Sequence, residues 1–190
     1  MTHQPTLVAG IVEDLDDPEN LGRVRVTYPH LNDIASDWAR LVSAGAGKGR
    51  GAFFRPERGD EVIVAFEHGD MRRPYVLGGV WNEPDPPPDA GDRKANDVRQ
   101  IVSRSGHRIT FIDQGGSERI EIVAAGGSQS IKIDRSGKKI EIDAAEGDVL
   151  VKAAGNVQVE GSNITIKATG DITISATGQL RLSGSSVDIN

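Results

Sequence analysis

Apolar and polar residues alternate in short triplets through the second half of the chain, from about Ile109 to the C-terminal end. In nearly every triplet, two apolar residues flank one polar residue. Because successive side chains of a strand point to opposite faces, this alternation predicts short strands with one buried face. The triplets are Ile109-Thr110-Phe111, Ile120-Glu121-Ile122, Ile131-Lys132-Ile133, Ile140-Glu141-Ile142, Val149-Leu150-Val151, Val157-Gln158-Val159, Ile164-Thr165-Ile166, Ile172-Thr173-Ile174, Leu180-Arg181-Leu182 and Val187-Asp188-Ile189.

The triplets recur regularly and are separated by residues that favour corners. Their period starts at eleven residues, falls to nine and settles at seven or eight. Pairs such as Gly126-Gly127, Gly155-Asn156 and Gly170-Asp171 lie between them, and these residue types tolerate positive φ or bond their own backbone. A regular array of short strands and sharp corners predicts a β-solenoid rather than a globular sheet.

The apolar stripe of such a solenoid can be buried in two ways. Each strand supplies only two or three inward aliphatic side chains, which a single chain buries poorly. Three interwound chains would point them at a shared axis and remove exposed strand edges. The alternative is a one-chain solenoid with about three strands of eight residues per coil. We expect a triple-stranded, intertwined β-helix, and therefore a homotrimer. The expected trimer core is Ile120, Ile122, Ile131, Ile133, Ile140, Ile142, Val157, Val159, Ile164, Ile166, Ile172, Ile174, Leu180 and Leu182.

The first half of the chain also reads as short strands, without convincing helical periodicity. Several such strands in some eighty residues predict a small closed barrel such as an OB-fold, so that the whole chain is expected to be all-β. The candidate strands are Leu7–Val12, Gly22–Pro29, Trp38–Val42, Asp60–Phe66 and Pro74–Val80, the last two joined by the turn Glu67-His68-Gly69-Asp70.

A change of composition near residue 100 separates the two halves. Of the eight aromatic residues, only Phe111 lies beyond that point. The proline-rich segment of residues 83–92 cannot join a sheet interior. We therefore expect an OB-fold domain over residues 1–83, a Pro-rich linker over residues 84–100 and the β-helix over residues 101–190. The aromatic residues expected in the core of the first domain are Tyr28, Trp38, Phe53, Phe54, Phe66, Tyr75 and Trp81.

Composition also narrows the classes of function. The chain has no cysteine, which excludes disulfides and thiolate metal sites. Its formal net charge of -6 argues against nucleic acid as the main partner. The first residues lack a basic stretch followed by an apolar one, and no run of about twenty apolar residues occurs. We expect neither a signal peptide nor a transmembrane helix.

Candidate chemical motifs favour structural interpretations. The acidic loop with Asp14, Asp16, Asp17 and Glu19 lacks the ligand spacing of a calcium-binding loop, which favours a polar turn. In the segment 45–51, Lys48 is followed by glycine where a phosphate-binding loop has Ser or Thr. No nucleophile elbow and no carboxylate pair in a plausible cleft can be identified. We therefore expect no catalytic, cofactor or metal site, and no enzyme activity.

Several longer motifs of the first half resemble the OB domain of contractile-tail spike proteins. That family comprises phage baseplate assembly protein V (gpV), the gp5-like spikes and the VgrG proteins of type VI secretion. The resemblance covers about residues 8–82 in order. The motifs are Asp16-Asp17-Pro18-Glu19-Asn20-Leu21-Gly22-Arg23-Val24-Arg25-Val26, Trp38-Ala39-Arg40, Ala46-Gly47-Lys48-Gly49-Arg50-Gly51, Pro56-Glu57-Arg58-Gly59-Asp60-Glu61-Val62, Phe66-Glu67-His68-Gly69-Asp70 and Arg73-Pro74-Tyr75-Val76-Leu77-Gly78.

The resemblance implies the central spike of a contractile injection machine, assembled in the cytoplasm into a baseplate and driven mechanically through a target envelope. The chain has no room for the hub domains of VgrG proteins and no inserted lysozyme domain, so we expect a separate hub protein at the OB end. The four histidines, His3, His30, His68 and His107, all precede the first triplet at Ile109, which argues against a metal-holding tip. A PAAR-type tip protein is expected to cap the C-terminal end. The expected tip interface is Val187, Asp188, Ile189 and Asn190.

An alternative function is an OB-type module that binds nucleic acid or glycan, with the β-repeat as a trimerisation stalk. Arginines such as Arg25 could form a basic face, with Tyr28 or Trp38 as stacking platforms. The acidic balance of the chain counts against this alternative.

Overall fold

The computed structural model describes residues 7–88 and 91–189 of the chain. His3, the linker residues Asp89 and Ala90, and the tip residue Asn190 lie outside the described residues. The chain divides into two units, Met1–Asp143 and Ala144–Asn190. Among the described residues, no helix is long and apolar enough to cross a membrane.

A six-stranded sheet with the order β3-β2-β1-β7-β8-β4 forms the OB-like part of the first unit. All neighbouring strands are antiparallel except the pair β4 and β8. Val24 and Ala39 exchange two backbone hydrogen bonds of 3.0 and 2.7 Å. This bridge joins the segments just before β2 and β4, so that the sheet curls back on itself. The strands are β1 (Leu7–Asp14), β2 (Arg25–Tyr28), β3 (Ile34–Ala35), β4 (Arg40–Leu41), β7 (Glu61–Phe66) and β8 (Pro74–Gly79).

The core of this sheet consists of valines and two aromatic rings. Along β7, buried residues alternate with half-buried ones, because every second side chain points inward. Tyr28 and Phe66 meet edge to face, with their ring centroids 5.7 Å apart. The buried hydrophobic residues are Val12, Val24, Val26, Tyr28, Ala39, Val62, Val64, Phe66 and Val76.

The expectation that all seven aromatic residues of the first half fill this core was wrong. Phe53 and Phe54 are each 74% exposed, and Trp81 is 68% exposed. They lie in segments that leave the sheet, where no opposite layer covers them. Trp38 and Tyr75 are only half-buried.

A small hairpin leaves the sheet between β4 and β7. Its strands are β5 (Ala46–Gly47) and β6 (Arg50–Gly51), paired with each other and with no other strand. Gly51 has a φ of +138°, and a Cβ there would lie 1.9 Å from the Gly45 carbonyl oxygen. Only glycine therefore fits where the two arms of the hairpin meet.

A second, five-stranded sheet follows, with the strands in chain order from β9 to β13. The pairs formed by the first four of these strands are antiparallel, and the first four predicted triplets all lie in strands of this sheet. The first strand begins at Val98, inside the segment expected to be linker. The strands are β9 (Val98–Val102), β10 (Arg108–Ile112), β11 (Arg119–Val123), β12 (Gln129–Asp134) and β13 (Lys139–Ala144).

The second unit has no helix or strand between residues 145 and 189. The all-β fold and the OB-like sheet are thus confirmed. The intertwined β-helix stays a prediction, because the strand pairs found in residues 98–144 lie within one chain.

Candidate functional site

The acidic loop after β1 is organised around the buried carboxylate of Asp17. This carboxylate accepts hydrogen bonds from the backbone N–H groups of Glu19, Leu21 and Arg23 at 2.9–3.1 Å. The Arg23 guanidinium donates through Nη2 at 2.7 Å and lies in an ion pair with it. This guanidinium, followed by the backbone donors, holds the pKa of Asp17 well below its usual range. A carboxylate so fully bonded fixes the loop and leaves little capacity for a cation.

Asp70 has the same role in the turn between β7 and β8. Its carboxylate accepts hydrogen bonds from Nε and Nη2 of Arg72 at 3.0 and 2.9 Å and from the Arg72 backbone N–H at 3.0 Å. The guanidinium lowers the pKa of Asp70 to about 2. Both aspartates belong to the motifs that carry the family resemblance, and in this structure they stabilise loops.

Among its described residues, the first unit shows neither a group of metal ligands nor a phosphate-binding loop. Within residues 7–88 and 91–189, no three His, Cys, Asp or Glu side chains are grouped so as to hold a metal ion. The glycine-rich segment is the β5–β6 hairpin and does not precede a helix, as a phosphate-binding loop would.

The aromatic side chains that were considered as stacking platforms for a ligand contact other residues of the domain. Tyr28 is only 1% exposed, so it cannot act as a stacking platform. The Arg25 guanidinium lies 6.0 Å from the ring centroid of Trp38, and that of Arg40 lies 4.4 Å from the ring of Tyr75. These arrangements are typical of cation–π contacts that stabilise a surface.

An open apolar face on the second sheet is the most prominent candidate surface. Ile122 of β11 lies opposite both Ile109 of β10 and Ile131 of β12. Ile120 lies two residues before Ile122, on the same face, and is opposite both Phe111 of β10 and Ile133 of β12. We call these six residues the apolar sheet face: Ile109, Phe111, Ile120, Ile122, Ile131 and Ile133.

This face is more exposed than the polar face behind it. Ile122, Ile131 and Ile133 are all exposed, whereas Thr110 on the opposite face is buried, and Glu121 is half-buried. Exposure continues on β13, where the predicted core residue Ile140 is 70% exposed. Burial is therefore inverted relative to a soluble sheet that is complete within one chain.

The remaining predicted core residues lie in the second unit and are also exposed. Every residue from 145 to 189 is exposed, including the aliphatic ones. The tip residues Val187 and Ile189 are among them. The exposed predicted core residues of this unit are Val157, Val159, Ile164, Ile166, Ile172, Ile174, Leu180 and Leu182.

One further surface, a cleft beside Trp81, was not predicted from the sequence. This residue was assigned to the core because it is aromatic. Trp81 stands directly before Asn82 and the proline-rich segment, where the chain leaves the sheet. That position could have indicated that its side chain lies outside the core.

Comparison with known proteins identifies the first domain. Residues 8–81 match the family model described as type VI secretion system/phage-baseplate injector OB domain. The match covers the OB domain, 74 of the 190 residues of the chain. The resemblance to VgrG-like and gp5-like baseplate spikes is thereby confirmed.

Similar curated proteins include spike proteins of type VI secretion and a toxin. VgrG3 of Vibrio cholerae is 33% identical over 109 residues, 53% of this chain and 11% of VgrG3. VgrG1a of Pseudomonas aeruginosa is 39% identical over 69 residues, 34% of this chain and 11% of VgrG1a. The actin cross-linking toxin VgrG1 of V. cholerae is 30% identical over 106 residues, 51% of this chain and 10% of the toxin. The similarity thus spans about a tenth of each relative's length.

Proposed function

We propose that this chain is the central spike of a contractile injection machine, a puncturing device at the baseplate of a phage tail or a related secretion system. The observation that carries the proposal is the exposure of the predicted core residues from Ile122 to the C-terminal end, with Ile120 half-buried. The similarity of the OB domain to that of type VI spike proteins supports the same role.

A homotrimer is favoured because a single chain leaves its apolar stripe unburied. Residues 145–189 alternate apolar and polar positions but bury nothing in one chain. Each buried apolar Å² is worth about 25 cal/mol, so that several exposed aliphatic side chains per strand favour association strongly. Two further copies of the same chain carry the same stripe in the same register. Three copies therefore complete one shared core without any new partner.

The proposed needle begins where pairing within the chain ends. From β9 to β13, each strand pairs with its sequence neighbours in the same chain. Beyond it, six triplets lack a strand partner in their own chain. If each advances the intertwined helix by one strand spacing of about 4.8 Å, this part of the shaft is roughly 30 Å long.

The proposed work of this spike is mechanical. A contracting sheath drives the tube forward, a separate hub protein holds the OB end, and the needle transmits the axial load into the target envelope. A PAAR-type tip protein caps the blunt end near Val187 and Ile189, where strand edges and aliphatic side chains are open. Assembly takes place in the cytoplasm, and no chemical catalysis is required.

The shared core is tested by two matched double variants. Ile166→Asp with Ile174→Asp puts six unpaired charges into the core of a trimer and should abolish trimers. Thr165→Asp with Thr173→Asp adds the same charges at the outward middle positions and should leave the trimer intact. Sedimentation equilibrium measures both. An inward variant that remains a stable trimer would overturn the shared core.

A further inference from the structure

The β5–β6 hairpin pairs with no other strand among the described residues. Residues 44–54, which we call the hairpin arm, are all exposed. Its tip carries Lys48 and Arg50, and no carboxylate among the described residues forms an ion pair with either. Phe54, at its end, is also exposed. The arm therefore combines a basic tip with an apolar base, and neither is covered.

A cleft of about 610 Å³ lies between the OB sheet, the linker and the start of the second sheet. Its wall includes the exposed indole of Trp81 and the carboxylates of Asp60, Glu61 and Asp85. Arg104, the one cation among the described lining residues, is paired with Glu57, which lies 3.3 Å away. We call this the Trp81 cleft. Its surface is apolar and acidic, the complement of the arm.

The Trp81 cleft is firmly built rather than a gap between loose segments. Asn82 donates through Nδ2 to Oε2 of Glu61 at 2.8 Å, and its Oδ1 accepts the backbone N–H of Asp85 at 2.8 Å. These bonds fix the linker against β7. The Asp85 carboxylate is exposed and is in no ion pair among the described residues.

We propose that the hairpin arm of one copy docks into the Trp81 cleft of the neighbouring copy. The basic tip would pair with the cleft carboxylates, and the Phe54 region would cover part of the Trp81 indole. This inference rests on the proposed homotrimer. It adds a second, OB-level interface to the shared core of the needle.

The position of the arm supports contact between copies. Arg104, at the rim of the cleft, is paired with Glu57, just beyond the base of the arm. The hairpin is about five residues long, roughly 15 Å at the rise of a strand. No arm residue lines the cleft of its own chain among the described residues. Such head-to-tail contacts join different patches of each subunit and close into a ring when the symmetry is threefold.

Cysteine cross-linking tests this contact directly, because the chain has no native cysteine. Lys48→Cys with Asp85→Cys in the full chain, treated with a short bis-maleimide, should give covalent trimers on a denaturing gel. Lys48→Cys with Asp148→Cys is the matched control and should not. Adding Arg50→Glu to the first pair should reduce the yield by like-charge repulsion, whereas Arg50→Lys should retain it.

The outcomes separate this inference from the trimer itself. A trimer by native mass that gives no cross-link, or only links within one chain, would overturn the arm–cleft contact and leave the proposed spike standing. A folded monomer would overturn both. Yields that do not change with Arg50→Glu would remove the electrostatic basis of the docking.

Discussion

At the residue scale, Asp17 shows how a single carboxylate can determine a loop. Three backbone N–H groups and the Arg23 guanidinium converge on it. The acidic residues around it suggested a cation site as one possibility, and the motif around Arg23 was part of the family resemblance. The structure explains both observations, because the cation that the Asp17 carboxylate binds is the Arg23 guanidinium.

The pH dependence of stability should report this interaction. The pKa of Asp17 is lowered in the folded state, so its stabilising contribution is present above the ordinary value of 3.8 and is lost as the pH falls through the folded-state pKa. Asp17→Asn should lower the Tm at pH 7, and its difference from wild type should shrink below about pH 4. Thermal unfolding followed by circular dichroism measures this.

Asp16→Asn is the control for that variant. Asp16 is exposed, and replacing it removes the same charge from the same loop. A Tm loss as large as that of Asp17→Asn would attribute the effect to net charge instead of to the bonded carboxylate.

Aromatic residues mark the limit of what residue type alone predicts. Tyr28 and Phe66 are buried as expected, whereas Phe53, Phe54 and Trp81 are exposed. Hydrophobicity predicts that such side chains are buried, but not whether the residues that bury them belong to the same chain. Their environment depends on which segments leave the sheet, and this is a property of the tertiary fold.

At the element scale, the triplet pattern predicted strands but not their pairing. The first four triplets, spaced eleven to nine residues apart, lie in the antiparallel sheet from β10 to β13. A strand of five or six residues and a hairpin turn fill such a period. The later period of seven or eight leaves too little chain for both. The change of period was therefore a signal of where pairing within the chain ends.

The last triplet should be required for capping but not for assembly. Deleting residues 185–190 removes the aliphatic ends of Val187 and Ile189, while the upstream core residues remain. We expect the truncated spike to stay trimeric and to lose its tip protein in a pull-down with the candidate from the same gene cluster.

Ser185→Ala with Ser186→Ala is the control for the truncation, because it leaves Val187–Asn190 in place and should retain the cap. A truncated spike that still captures the tip protein would place the cap elsewhere on the needle.

At the scale of the whole molecule, the OB domain could be predicted well and the needle only in part. Alternation, turn residues and family motifs agree over residues 8–81, and the structure and the family match both confirm that domain. Residues 145–189 bury nothing in one chain, and in the proposed trimer the other two copies would bury their apolar side chains. A surface such as the Trp81 cleft depends on three separate segments and has no local sequence pattern.

In the proposed spike, the exposed apolar stripe is the core of a three-chain assembly. Native mass spectrometry of the full-length protein tests it most directly, because it counts chains without any assumption about shape. A homotrimer should give a single species of about three times the chain mass of 20.3 kDa. A folded protein with the mass of one chain would contradict it, because the stripe would then have to be buried within a single chain.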